Sequence, residues 1–323
     1  MKSLFLIFFL ASLALNPVVG SEAETASERN ERILKSFHAK TDVVYKQVGE
    51  KSLKMILFLP DREVEGPMPV MLYTHGGGWG GGSKYKIFGP VFLSSLRQIL
   101  DQGIACAAID YRLTRKGQSN AIDCVVDCKD AARFLIKHAD TYNLDTNRMG
   151  VWGGSAGGHL ALMTGLAAND LFPGDSDLIS YDPKFRCILA YYPATTFLNP
   201  ELLVGSNFEN PGRMVPMIGG LAKDFPERAK LLSPTEHLRA DSPPTLLLHG
   251  DEDQILPIGL SQYYMECAEA IGADAELITV HQARHGFSGA NRSPSMEAIN
   301  RMAADYILRH LKPDSIFGTV NGR

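Results

Sequence analysis

The feature that most constrains this chain is Gly153-Gly154-Ser155-Ala156-Gly157-Gly158, a G-x-S-x-G sequence set between a short apolar run and a longer one. Arg148 to Trp152 (RMGVW) has strand character and Gly157 to Ala168 (GGHLALMTGLAA) has helix character, so Ser155 falls at a strand-to-helix turn. That context is the one expected of a nucleophile elbow. A turn this sharp holds the serine in a strained backbone conformation, and a side chain two places to either side would strike the neighbouring strand or helix. Gly153 and Gly157 leave that space open.

Because glycine and serine are common, the elbow needs company. His75-Gly76-Gly77-Gly78-Trp79 follows directly on the apolar run Pro69 to Thr74. Acyl transfer passes through a tetrahedral oxyanion, and a backbone N–H aimed at that oxygen contributes ~3 kcal/mol. Glycines let the backbone come close enough. Gly77 and Gly78 are assigned as donors, completed by the N–H of Ala156 after the serine, with Gly76 and Trp79 as the alternatives in the loop. Trp79, next to the glycines, is expected to rim the site and touch substrate.

The partners of such a serine follow in the order acid, then histidine. Thr245 to Leu248 reads as a buried strand running into His249-Gly250-Asp251-Glu252-Asp253, and the end of a strand in an open sheet is where functional side chains are presented. Asp253 is placed past the turn and is assigned as the acid, with Asp251 as the alternative. Ala275 to Val280 reads as the last strand, and the loop after it carries His281 and His285. His285 lies further out and is assigned as the base, which takes the serine proton and returns it to the leaving group. His281 is expected to pack or cap.

Residues 42–48 and 53–59 read as two opening antiparallel strands, after which apolar runs at 69–74, 104–109, 148–152, 187–191, 245–248 and 275–280 alternate with helical patterns, notably Ala121 to His138 and Met296 to Leu311. The expected fold is α/β, a mostly parallel, doubly wound sheet of about eight strands with helices on both faces. Residues 195–242 exceed what a crossover needs and predict a small helical insertion, with helices over 211–221 and 225–232, capping the pocket. One catalytic domain is expected over 41–323, after a charged lead-in at 21–40.

Taken together, HGGGW, GGSAGGHLA, HGDEDQILP and RHGF resemble the bacterial α/β-hydrolase esterases related to hormone-sensitive lipase, most nearly the acetyl-xylan and feruloyl esterase branch. The resemblance covers Tyr45 to Leu311. It implies a serine carboxylesterase with Ser155, Asp253 and His285 as triad and no metal or cofactor, acting on a small-molecule or polysaccharide-linked ester. Members of this branch often carry Gly-His-Gly-Phe around the histidine, whereas this chain has Arg284 in the first place. The same fold could serve an amidase or peptidase, or a protein that only binds; loss of a triad member would mark the last, and none is lost.

The first twenty residues stand apart. Lys2 precedes an apolar run from Leu4 to Leu15, Pro17 breaks it, and Val18-Val19-Gly20 ends in small residues, the pattern of a signal peptide. Export, to the periplasm or beyond, is therefore expected, without stable membrane insertion after cleavage, since the run is short of the ~20 residues that span a bilayer. The formal net charge of -4, with no basic cluster, disfavours nucleic acid as a partner. Five cysteines do not make a disulfide framework and read as buried small hydrophobes. Trp152 and His159 are expected to pack in the core, and Asp110-Tyr111-Arg112 to form a structural turn with a buried ion pair.

Overall fold

A computed structural model describes residues 24–312, so the leader at 1–20 lies outside the described residues. Eight strands form one sheet: β1 (Ala39–Val48), β2 (Lys51–Phe58), β3 (Met68–Thr74), β4 (Ala105–Ile109), β5 (Leu144–Gly154), β6 (Phe185–Tyr191), β7 (Thr245–Gly250) and β8 (Ala275–Val280). Their spatial order is β1-β2-β4-β3-β5-β6-β7-β8. β2 pairs antiparallel with both β1 and β4, and every later pairing is parallel.

Interior parallel strands are covered on both faces, which is why they read as unbroken apolar runs rather than alternating ones. β3, β4 and β7 are buried along their whole length. Side chains still alternate between faces: Val70 and Leu72 pack with the helices Ala121–Lys137, Ala156–Leu166 and Gly259–Ile271, while Met71 and Tyr73 pack with Leu93–Asp101 and Met296–Leu311. β5 starts four residues before its apolar run. Leu144 pairs with Met68 across an irregularity, so Asp145, Thr146 and Asn147 belong to the strand although their polarity hides it.

The stretch 195–242 carries three short helices, Pro200–Leu203, Pro211–Ile218 and Pro226–Leu231, each opening on a proline at a position that needs no N–H. The second ends three residues earlier than its pattern suggests, because Gly219 turns the chain left-handed at φ 101°. Met214, Met217 and Ile218 join the core and anchor it. In the lead-in, a helix over Ala26–Leu34 is closed by a capping box between Thr25 and Glu28 and buries Ile33. Among the described residues no helix is long and apolar enough to cross a membrane.

Cys106, Cys124, Cys128 and Cys187 are buried and unbridged, as small hydrophobes are; Cys267 is half-buried.

Candidate active site

β5 delivers Ser155 to the C-terminal edge of the sheet with φ 60° and ψ -124°, a conformation that costs a residue other than glycine of order 1 kcal/mol or more. The surroundings enforce it. Ser155 N–H donates to the carbonyl of Tyr191 at 2.9 Å, and Thr74 Oγ at the end of β3 donates to the carbonyl of Gly157 at 2.7 Å. Thr74 comes so close to Gly157 that a Cβ there would run into its carbonyl oxygen, so the second elbow glycine is a requirement of packing.

His285 and Asp253 arrive from the loops after β8 and β7. His285 Nε2 lies 2.9 Å from Ser155 Oγ, and Nδ1 lies 2.7 Å from Asp253 Oδ2. Because the carboxylate can only accept, Nδ1 carries the proton and Nε2 is left to accept from the serine hydroxyl. The other carboxylate oxygen, Oδ1, accepts from the amides of Ile255 and Leu256, which fixes the acid's orientation. Burial opposes the charge on Asp253, but the contacts from His249 and His285 outweigh it and hold the carboxyl below the usual range.

Three residues of this centre have contacts that the motifs do not assign. His249 is wholly buried; it donates to the carbonyl of Leu256 at 2.7 Å, accepts from the Ser261 hydroxyl at 2.7 Å, and lies 3.5 Å from Asp253 Oδ2. Tyr192, itself at φ 38°, sets its ring edge-on to His285 with centroids 4.7 Å apart. Tyr111 stacks on His75 at 4.1 Å and donates to the His75 carbonyl at 2.7 Å, holding the chain where it enters the glycine loop. Only the invariant tendency of strand ends to carry site residues could have pointed to Tyr192.

The glycine loop leaves β3 beside the elbow. Gly76 packs against the carbonyl of Gly154, Gly77 takes φ 132° and Gly78 φ 60°. Among the described residues no loop carbonyl claims the amides of Gly77 or Gly78, and Ala156 stands at the first position of its helix, where the N–H has no partner within the helix. Gly77 and Gly78 line the same cavity of about 490 Å³ as Ser155 and His285.

Trp79 does not. The expectation that it rims the site is corrected by its burial at 2% exposure: its indole N–H donates to His159 Nδ1 at 3.1 Å and its ring packs on Phe197 and Phe208. At φ 56° the backbone turns left-handed after Gly78, which swings the side chain inward, under the cap. His159 is buried and its Nε2 donates to the Leu232 carbonyl at 2.7 Å; burial pushes it down to about 4. Burial likewise lowers His75 to about 4.

The turn at Asp110-Tyr111-Arg112 ties outward rather than within itself. Asp110 pairs with Lys84 at 2.7 Å, and Arg112 forks onto Asp127 with Asp123 beside it. Arg284, which stands where the related esterases often have glycine, sits at φ -87° and ψ -175°, an extended backbone any residue adopts. Asp251, the alternative acid, pairs instead with His281.

A family model described as BD-FAE matches residues 55–267. A probable carboxylic ester hydrolase of Mycobacterium tuberculosis, LipM, is 26% identical over 79% of this chain and 58% of its own length, and the esterase LipC of the same organism is 27% identical over 72% and 57%. The chain thus spans a little over half the length of these curated relatives. Among solved structures, the thermophilic esterase Est2 of the planctomycete Thermogutta terrifontis superposes with a TM-score of 0.69 at 25% identity, covering 86% of this chain and 95% of Est2. Its butyrate-bound form superposes equally, with a TM-score of 0.69 at 26% identity over 85% and 96%.

Proposed function

The chain belongs to the BD-FAE family, among the α/β-hydrolase esterases related to hormone-sensitive lipase, and from that premise we propose that it hydrolyses short-chain carboxylic esters through an acyl-Ser155 intermediate. The observation that carries the proposal is the continuous line Ser155 Oγ, His285 Nε2, His285 Nδ1, Asp253 Oδ2, with separations of 2.9 and 2.7 Å on a serine held in a strained turn.

In this reading His285 takes the serine proton as Oγ attacks the ester carbonyl, and the oxyanion forms against the amides of Gly77, Gly78 and Ala156. His285 then protonates the departing alcohol. Water repeats the sequence in reverse, with the acid leaving and Ser155 restored. Asp253 stays ionised throughout and steadies the imidazolium, which its lowered pKa suits.

A short acyl chain is supported by the butyrate seen in Est2, and Phe92 and Tyr192 are among the residues that line the cavity of about 490 Å³ that would take it. Acetyl or feruloyl groups on plant or algal polysaccharide are the natural esters we propose, on the motif resemblance. Export is proposed from the leader sequence at 1–20. The test is hydrolysis of p-nitrophenyl acetate, butyrate and octanoate, acetylated xylan and methyl ferulate by the wild type and by Ser155→Ala. Ser155-dependent turnover of the short or sugar-borne esters supports the reading; turnover that survives in Ser155→Ala, or none at all, sinks it.

A further inference from the structure

We propose that the esters this site prefers carry a negative charge, a carboxylate on either the acyl or the alcohol part. The inference rests on the esterase reading and adds a substrate class to it.

Two open grooves meet over the glycine loop. One, of about 490 Å³, holds Ser155 and His285 and reaches out to Lys86. The other, of about 530 Å³, continues from Gly77 and Gly78 to Arg115. Arg213, from the helix Pro211–Ile218, lines both. It lies against Gly78, where a Cβ would collide with its guanidinium, so the charge stands directly beside a residue assigned to the oxyanion.

These cations face no opposing charge across the grooves. No aspartate or glutamate lines either groove. Among the described residues Lys86, Arg115 and Arg213, like many exposed cations of this chain, have no carboxylate within 4 Å; what sets them apart is that they line the grooves at Ser155. Arg115 spends donors only on the carbonyls of Gly80 and Thr114. Asp253 is the carboxylate at the centre, and it is buried behind His285 and engaged by it. In a chain of net charge -4 the two grooves are therefore lined by cations and by no carboxylate.

Unpaired cations flanking a cleft raise the local concentration of anions and steady them once bound, and a cleft wall without opposing carboxylates leaves that attraction uncancelled. An uncharged ester leaves the same side chains in water at no penalty. The expectation is thus a preference and not an exclusion, of about tenfold at low salt, shrinking as ions screen the exposed charges.

The experiment uses two matched pairs on the full chain. p-Nitrophenyl hydrogen glutarate against p-nitrophenyl valerate puts the charge on the acyl part; 4-acetoxybenzoate against 4-acetoxybenzamide puts it on the alcohol. The reading is the ratio of kcat/KM, charged over uncharged, for the wild type and for the double variant Arg213→Gln, Lys86→Gln, at low and at high salt. In at least one pair the wild-type ratio should exceed one at low salt and fall about tenfold in the variant and also fall with salt, and the pair that responds names the side that carries the charge; a wild-type ratio below one in both pairs overturns the inference. Equal ratios in wild type and variant for both pairs, with Ser155-dependent turnover of the uncharged esters intact, overturn the inference and leave the esterase reading standing. Absence of Ser155-dependent turnover of all four overturns both.

Discussion

His281 and Asp251 form a second imidazole–carboxylate pair, Nδ1 to Oδ2 at 2.9 Å, on the same two loops that carry His285 and Asp253. The two pairs differ in where they point. The outer pair is solvent-exposed, while Asp253 is buried and its histidine reaches Ser155. Asp253→Asn should therefore lower kcat by about 10⁴-fold, since an amide favours the wrong tautomer of His285. Asp251→Asn should stay within about threefold of wild type, because an exposed pair contributes little. Steady-state kinetics on p-nitrophenyl butyrate decides it, and comparable losses in both variants would reverse the assignment.

Ser155→Ala removes the nucleophile without disturbing a packed atom of any size. Its kcat should drop by about 10⁵- to 10⁶-fold, leaving what the oxyanion donors and binding supply. Thermal unfolding should be little changed, since His285 Nε2, which loses the serine hydroxyl as its partner, is partly open to water. A variant that keeps more than a hundredth of the activity contradicts the covalent route.

Tyr111→Phe keeps the ring stacked on His75 but leaves the His75 carbonyl without its donor. A buried acceptor left unpaired costs about 1–3 kcal/mol, and here the cost falls on the entry to the glycine loop. We expect kcat to fall several-fold with KM little altered, because the loop serves the transition state more than the bound ester. An unchanged kcat would show that the loop holds its place without that hydrogen bond.

Trp79→Phe tests whether the indole serves the core or the substrate pocket. Losing the indole N–H leaves His159 Nδ1 unpaired in the core, so stability should fall by about 1–3 kcal/mol. The ratio of kcat/KM between acetate and octanoate esters should not move. A change in chain-length preference would return Trp79 to the substrate pocket.

His75 and His159 predict acid sensitivity around the glycine loop. Burial lowers both to about 4 from an ordinary 6.5, so between those values the unfolded chain binds protons that the folded chain does not. Stability therefore falls as pH drops from about 6.5 to about 4, by about 1.4 kcal/mol per pH unit for each histidine, and these two add no further loss below that window. His159→Gln should flatten the slope by one proton. Chemical denaturation across pH 4 to 7 in both proteins measures it, and identical slopes would remove His159 from the account.

The meeting of Ser155, His285 and Asp253 was foreshadowed because each sits just past the end of an apolar run. An apolar run must end where the strand leaves the sheet, and Ser155, Asp253 and His285 follow such ends by one, three and five residues. The doubly wound architecture was legible for the same reason, since strands buried on both faces can only be apolar throughout. The start of β5 was not, because Asp145 to Asn147 are polar and only pairing with β3 makes them strand.

What the amino-acid sequence determined by itself is the local chemistry: which residues turn, which cannot tolerate a side chain, and which serine, acid and histidine the strand ends present. Direction in space belonged to the tertiary structure. Trp79 adjoins the glycines in sequence yet faces the core, because one left-handed residue reverses its side chain and His159, Phe197 and Phe208 receive it. Tyr111, Tyr192, His249 and Arg213 reach the centre from four separate segments, and no spacing along the chain encodes that meeting. Backbone preference acts over a few residues, whereas contact between distant segments is settled only when the whole sheet and its cap pack together.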